Sequence, residues 1–210
     1  MAVLGLDVLA SFAIASLALL VVPGPAVVYI VNRGMVDGRK VALASVLGLT
    51  LGNFSHALMA SVGISALLIT SSVAFNVVKW LGVSYLVGVG VRTIASKSQS
   101  WVFAKQSIDA QRAFRQGVTV NVLNPKVALF FLAFLPQFVD QSDVNDEWLT
   151  LLFGSVFVGL GLITDSVYAL VSSSLKDSLI NGQALAFFRR WVSGAVFIGL
   201  GLVAAGVNRA

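Results

Sequence analysis

Lys126 is a cation in the middle of an apolar stretch, residues 117–139, that is just long enough to cross a lipid bilayer as a helix. At about 1.5 Å per residue, Lys126 lies roughly 15 Å into that stretch, close to the midplane of the hydrocarbon. A cation at that depth costs about 2.5 to 17 kcal/mol. Pro125 also removes a backbone donor where no lipid group can replace it. This combination predicts that Asn124, Pro125 and Lys126 line a cavity in a transport pathway.

A second interruption is predicted at Pro23-Gly24-Pro25, inside the apolar stretch 6–31. The helical pieces that follow Pro25 and Pro125 would both begin near the midplane. A helix N-terminus presents free N–H groups and the positive end of the helix dipole, which favour an anion. We therefore expect these two segments, with Lys126, to bind a substrate carboxylate. The alternative is that the prolines only kink the helices for packing.

Asp165 is an acidic residue near the midplane of the apolar stretch 148–173, about eleven residues or roughly 16 Å from Lys176. A carboxylate at that depth needs a partner or a proton. It could receive a substrate ammonium, carry a coupling proton, or form a purely structural pair with Lys126. Tyr168 lies three residues further on, so it shares the same helix face and can form a hydrogen bond there.

The apolar stretch 41–69 carries Gly48, Gly52 and His56 at spacings of four residues. The two glycines predict close helix packing. His56, the only histidine, is a candidate for proton coupling because it titrates near neutral pH. A hydrogen-bonding role inside the helix is the alternative. Asn53 is expected either to line the cavity or to bond another helix.

The composition places these groups in a membrane protein. The chain has 210 residues, of which 58% are hydrophobic and 11% are charged, and this is too apolar for a soluble globule. Six apolar stretches predict an all-α integral membrane protein of one domain, residues 1–210. The predicted helices cover residues 6–31, 41–69, 73–94, 117–139, 148–173 and 191–207.

The distribution of charge predicts the orientation of these helices. The net charge is +5, and all basic residues except Lys79, Lys126 and Arg209 lie in or beside the loops after helices one, three and five. Under the positive-inside rule these loops are cytoplasmic and both termini are periplasmic. The excess of basic residues is therefore explained by membrane orientation and does not require nucleic-acid binding. Asp7 replaces the basic region of a signal peptide, so the first helix is expected to remain.

Several chemistries lack the residues they need. The chain has no cysteine and one histidine, which disfavours a metal site. A phosphate-binding loop for ATP is also absent from the sequence. We therefore expect neither a cofactor nor enzymatic bond making.

The two halves of the chain, about 1–96 and 113–210, resemble each other across a cytoplasmic loop at 95–116. Each half would contain a proline-broken helix, a helix with polar groups at mid-membrane, and a helix opened by a basic residue and tryptophan. The matched positions are Pro25 with Pro125, Asn53 with Asp165, His56 with Tyr168, and Lys79-Trp80 with Arg190-Trp191. Three helices per half require the second half to be inverted, an arrangement typical of secondary transporters. Chance recurrence of glycine and tryptophan is the alternative.

Several motifs resemble those of the LysE/RhtB family of bacterial amino-acid exporters over essentially the whole chain. They are Val22-Pro23-Gly24-Pro25, Gly48-Leu49-Thr50-Leu51-Gly52 with His56, Lys79-Trp80-Leu81-Gly82-Val83-Ser84-Tyr85-Leu86, Asn121-Val122-Leu123-Asn124-Pro125-Lys126, Phe134-Leu135-Pro136-Gln137-Phe138, and Asp165 with Tyr168. The resemblance implies an inner-membrane secondary transporter that exports amino acids in exchange for protons. Family substrates include lysine, homoserine, threonine and leucine-like amino acids. Many relatives carry an acidic residue near Asn53, so its absence here disfavours a cationic substrate.

The sequence-based hypothesis is thus efflux of a neutral, zwitterionic amino acid. The substrate carboxylate would bind at Pro23, Gly24, Pro25, Asn124, Pro125 and Lys126, and its ammonium or the coupling proton at Asp165, Asn53, Tyr168 and His56. Two alternatives stay open, namely a transporter of another solute such as a cation or an organic anion, and a membrane scaffold that transports nothing. The sequence leaves the oligomeric state undecided, with a homodimer as one alternative.

Overall fold

The computed structural model describes residues 6–70, 72–95, 107–139 and 146–174, and four further residues at 195, 198, 199 and 202. These ranges form seven α-helices and a short 3-10 helix, and they contain no β-strand. The helices are α1 (Leu6–Val21), α2 (Pro25–Asp37), α3 (Arg39–Thr70), α4 (Ser72–Ala95), α5 (Ala110–Val122), α6 (Pro125–Ala133) and α7 (Asp146–Ser174), with the 3-10 helix at Leu135–Gln137. Most of the predicted helix at 191–207, with Arg190-Trp191 and that part of the repeat, lies outside the described residues.

The described helices are those of an integral membrane protein. By length and composition, α3 and α7 can each cross a membrane, in the segments Arg39–Val62 and Trp148–Ser174. The pairs α1–α2 and α5–α6 meet the same criterion only if each bent pair counts as one span. Large apolar side chains such as Ile14, Leu47 and Ile163 are exposed on the helix surfaces, which suits contact with lipid.

The helix boundaries differ from the predictions at two charged segments. The first apolar stretch was predicted to end at residue 31, but α2 continues to Asp37 because Arg33 and Asp37 neutralise each other one helical turn apart. Gly38 then ends the helix with a φ of 83°, a conformation that glycine adopts without strain. The segment 95–116 was predicted as a loop, but α5 already begins at Ala110, where Asp109 caps the helix through the N–H of Arg112.

The polypeptide changes direction between α1 and α2, whose axes differ by 54°. The first helix ends at Val21, Gly24 is extended, and Pro25 begins the second helix. Proline is well suited to the first helical position, where its missing N–H would have no partner in the helix. The segment Pro23-Gly24-Pro25 therefore leaves a helix C-terminus and a helix N-terminus next to each other.

A similar change of direction, by 46°, separates α5 from α6. The fifth helix ends at Val122, and Pro125 is the first residue of the sixth. The side-chain oxygen of Asn124 accepts a 3.1 Å hydrogen bond from the backbone N–H of Lys126 and so caps α6.

The crossing of α3 and α5 depends on glycines. A Cβ at Gly48 would collide with the carbonyl oxygen of Phe114, and one at Gly117 would lie 2.6 Å from the carbonyl oxygen of Ser45. At Gly52, a Cβ would lie 2.6 Å from the Cβ of Asn121. Close backbone approach here brings Asn121 on α5 within hydrogen-bond reach of α3.

A cluster of buried phenylalanines holds α6 against α1 and α7. Ring centroids are 4.8 Å apart for Phe12 and Phe153, and 5.0 Å apart for Phe130 and Phe157. Phe131 also packs edge-on against Phe157. This packing fixes the position of α6 and therefore of Lys126 at its N-terminus.

Candidate functional site

The described helices enclose a polar cavity beside the two helix breaks. Its volume is about 20 Å³, which is room for roughly one water molecule. The polar side chains that line it come from four different helices or their caps. They are Asn53, Asn121, Asn124, Lys126 and Asp165. Gly24, Ala26 and Val27 line it from the start of α2 and its cap, and Val127 from the start of α6.

Lys126 is 8% exposed and reaches across the cavity to the end of α1. Its Nζ donates a 2.7 Å hydrogen bond to the carbonyl oxygen of Val22. The last carbonyls of a helix lack partners within the helix and carry its negative dipole end, so a cation is favourable there. The stem of Lys126 lies over Gly24, where a Cβ would be only 3.2 Å from Cδ of Lys126.

Tyr168 binds the adjacent carbonyl of the same helix end. Its hydroxyl donates a 2.6 Å hydrogen bond to the carbonyl oxygen of Val21. Tyr168 is half-buried and lies outside the set of residues that line the cavity. Two side chains predicted to contact substrate, Lys126 and Tyr168, therefore hold the C-terminus of α1 in this conformation.

Asp165 lines the cavity from α7 and is 4% exposed. Its carboxylate makes no hydrogen bond or ion pair with any residue that the structure describes. It therefore forms no direct ion pair with Lys126, although the two opposite charges interact at longer range. A buried carboxylate without a direct partner is costly, and this cost favours a ligand or a proton at Asp165.

Asn121 bonds two other polar residues of the cavity, Asn53 and Asn124, and the sequence-based assignment omitted it. Its Nδ2 donates hydrogen bonds of 2.6 Å to the carbonyl oxygen of Leu49 and 2.7 Å to Oδ1 of Asn53. Its Oδ1 accepts a 3.3 Å hydrogen bond from Nδ2 of Asn124. The available signal was its place in the same apolar stretch as Asn124 and Lys126, where a polar side chain is costly unless it has a partner.

The N-termini of α2 and α6 both border the cavity. Gly24 provides no side-chain cap for α2, so the first N–H groups of that helix, at Ala26 and Val27, have no side-chain acceptor at the cap. Lys126 begins the other helix. The structure thus brings Gly24, Asn53, Asn124, Lys126 and Asp165 to one cavity, with Pro23, Pro25 and Pro125 as the residues that flank the helix starts.

His56 is 6% exposed and does not line the cavity, but it contacts Asn121, which does. Its Nε2 is 3.0 Å from the backbone oxygen of Asn121. Because a carbonyl can only accept, Nε2 of His56 must be the donor. The imidazole also stacks on Phe131, with centroids 6.2 Å apart and planes 16° apart.

The model of the LysE type translocator family matches residues 17–206, which is most of the chain. The chain belongs to this family. The resemblance to the LysE/RhtB exporters, drawn from the motifs, is thereby confirmed. The candidate site is the cavity described above, where two helix N-termini meet a buried cation and a buried carboxylate.

Named relatives of this translocator cover most of its length. A membrane protein of Vibrio cholerae is 28% identical over 87% of this chain and 89% of its own length. A leucine efflux protein of Enterobacter is 24% identical over 90% of each chain. A homoserine/homoserine lactone efflux protein of Salmonella typhimurium is 28% identical over 68% of this chain and 70% of its own. No solved structure shows a significant match to the chain.

Proposed function

We propose that this translocator is a secondary exporter of neutral, zwitterionic amino acids that is driven by protons. The carrying observation is that Lys126 and Asp165 line one buried cavity without forming a direct ion pair. A zwitterion carries the complementary pair of charges at a fixed short separation. The printed names of the relatives, which are efflux proteins for leucine and for homoserine and its lactone, support amino acids as the solute class.

The substrate carboxylate binds at the helix starts in this proposal. The N–H groups of Ala26 and Val27 and the ammonium of Lys126 supply hydrogen bonds and positive charge on the same side of the cavity. The carboxylate competes with the carbonyl of Val22 for Lys126. Binding would therefore loosen the contact that holds the end of α1.

Asp165 receives the substrate ammonium, or a proton when no substrate is bound. Its carboxylate lacks a direct partner among the described residues, so either cation relieves the cost of burying it. Tyr168 contributes by holding the carbonyl of Val21. His56 is the second proton-coupling candidate, and it would act on the cavity through Asn121.

The present conformation is closed around the cavity. A volume of about 20 Å³ is too small for any amino acid. Transport therefore requires α2 or α6 to move about the breaks at Gly24 and Leu123, which separate rigid helical pieces. Alternating access at such broken helices is the usual mechanism of secondary transporters.

The topology that we propose has six spans in the bacterial inner membrane, arranged as two inverted halves of three helices. Each bent pair, α1–α2 and α5–α6, is then one broken span. Both termini are periplasmic, since the basic loops are cytoplasmic. The placement of both breaks at one cavity supports the inverted arrangement.

The function can be tested with purified protein in liposomes that are loaded with leucine or homoserine, with and without a pH gradient. We expect the gradient to accelerate efflux of at least one of these amino acids. Asp165→Asn and Lys126→Ala should each lower the rate by about a hundredfold, the order expected when a buried charged contact is lost.

The matched controls are Asp7→Asn and Lys40→Ala, which remove the same charges at exposed positions. Their transport rates should equal that of the wild type. If folded wild-type protein moves none of twenty amino acids, the proposal is wrong, and assays with metal cations and organic anions would follow. Normal transport by both cavity variants would also contradict it.

A further inference from the structure

A chain of amides runs from the start of α6 to α3 along one side of the cavity. The N–H of Lys126 donates to Oδ1 of Asn124, whose Nδ2 donates to Oδ1 of Asn121. Nδ2 of Asn121 then donates to Oδ1 of Asn53. Each amide oxygen accepts from the preceding residue, so the hydrogen bonds all point in one direction.

The carbonyl of Leu49 fixes that direction. It lies 2.6 Å from the side-chain amide of Asn121, and a carbonyl can only accept, so the NH2 group of Asn121 must face it. The second N–H of the same group is directed at Asn53, 2.7 Å away, which requires an oxygen there. Rotation of the Asn121 amide would place two oxygens against each other.

Asn53 consequently turns its own NH2 group away from Asn121. Its Nδ2 lies towards α7, where a Cβ on Gly161 would be 2.9 Å from it, one turn before Asp165. Among the described residues this NH2 group has no hydrogen-bond partner, although Asn53 is 2% exposed and lines the cavity. Asn53, which lines the cavity from α3, therefore has one NH2 group available as a donor.

We propose that Asn121 is a positioning residue that orients the Asn53 amide so that its NH2 group recognises the substrate carboxylate. This inference rests on the proposed function and deepens it. It assigns Asn53 to the carboxylate, whereas the sequence-based hypothesis assigned it to the ammonium or the proton. Donors from α2, α3 and α6 then line the site, and among the described side chains that line it Asp165 supplies the negative charge.

The arrangement determines the substrate class. A free carboxylate can accept from Asn53, Lys126 and the start of α2 together, whereas an ester or a neutral amide is a weaker acceptor without charge. The transporter should therefore prefer leucine to leucinamide, and homoserine to homoserine lactone. Within each pair the ammonium is the same. The ratio of kcat/KM for the free amino acid to kcat/KM for its amide or lactone therefore reports recognition of the carboxylate.

The experiment measures this ratio for the wild type, Asn53→Ala, Asn121→Leu and the double variant in liposomes. Each single variant should lower the ratio about tenfold, as expected for one charge-assisted hydrogen bond. If Asn121 acts through Asn53, the double variant should have the ratio of Asn53→Ala alone. Ratios that multiply in the double variant would overturn the positioning role.

Asn32→Ala is the matched control, because Asn32 is a buried asparagine that bonds Arg33 and does not line the cavity. Its ratio should remain that of the wild type. If Asn53→Ala slows both members of each pair equally, Asn53 contacts the ammonium or only the helices, and the inference is wrong. If the wild type transports none of the twenty amino acids, the proposed function fails first, so the two failures are distinguishable; if it transports another amino acid, that amino acid and its amide form the test pair.

Discussion

Helix α2 has a buried polar cluster at each end, and the two clusters are built in opposite ways. At the Asp37 end, Arg33 and Asp37 form a 2.8 Å ion pair with side chains that are 5% and 1% exposed. At the Pro25 end, the charges of Lys126 and Asp165 share a cavity without a direct ion pair.

In the Asp37 cluster, both carboxylate oxygens of Asp37 are bonded by protein groups. Oδ1 of Asp37 accepts from the hydroxyl of Ser107 and from the N–H of Ile108, and Nη2 of Arg33 donates to Asn32. These bonds fasten the end of α2 to the residues that precede α5. Such a cluster stabilises one geometry, because every lone pair that it uses is already satisfied by the protein.

The cavity cluster keeps its binding capacity for a ligand. The Asp165 carboxylate and the Asn53 NH2 group have no direct partner among the described residues, and Lys126 binds a backbone carbonyl that a carboxylate could replace. The comparison teaches that burial of charge alone does not mark a site. What distinguishes the site is a buried carboxylate, that of Asp165, with no direct partner among the described residues.

The largest expected difference between the two clusters concerns stability. Asp37→Ala removes the carboxylate of a buried ion pair, so the free energy of unfolding should fall by about 3–5 kcal/mol. Thermal unfolding in detergent should show this as a fall in Tm of roughly 10 °C. Asp165→Ala should keep the wild-type Tm while transport is lost. Equal destabilisation by both variants would remove the distinction between the clusters.

A smaller effect is expected from Tyr168→Phe, which deletes the hydroxyl that binds the carbonyl of Val21. The free energy of unfolding should fall by about 1 kcal/mol, or roughly 2–4 °C in Tm. The KM for the amino acid should stay within about twofold of the wild type, since Tyr168 does not contact the substrate in our proposal. A tenfold rise in KM without loss of Tm would instead place Tyr168 in direct contact with the substrate.

The smallest effect is expected from His56→Gln. The glutamine amide can still donate to the backbone oxygen of Asn121, so transport should remain within about threefold of the wild type. The dependence of transport on the pH gradient should also persist, because Asp165 carries the proton in our proposal. Loss of that dependence, with transport along a substrate gradient retained, would identify His56 as the coupling group.

Much of the helical structure was predictable from local patterns. The stretches predicted at 41–69 and 73–94 match α3 and α4 within two residues, since long apolar runs leave few alternatives. The charged ends were predicted less well. The pairing of Arg33 with Asp37 and the cap at Asp109 extend α2 and α5 beyond the apolar stretches. Capping and pairing of charges depend on individual contacts that hydropathy does not record.

The candidate site was only partly predictable. Depth in an apolar stretch was sufficient to select Asn124, Lys126 and Asp165, because a polar group in hydrocarbon is costly unless it has a partner or a function. Asn121 was missed, since its importance comes from bonds to Leu49 and Asn53 on a helix about seventy positions away. The spacing of residues along a chain contains no information on which carbonyl such an amide meets.

The sequence by itself determined that this chain is a bundle of apolar helices, where proline interrupts the pattern, and which charged groups lie deepest. These properties are local, since a missing N–H or a buried charge has the same consequence in any neighbourhood. Only the tertiary structure decided that Lys126 binds the carbonyl of Val22, that Asp165 has no direct partner among the described residues, and that Asn121 orients Asn53. Those outcomes depend on packing between segments that are distant in the chain. The last of them requires the close approach of α3 and α5 that glycine allows.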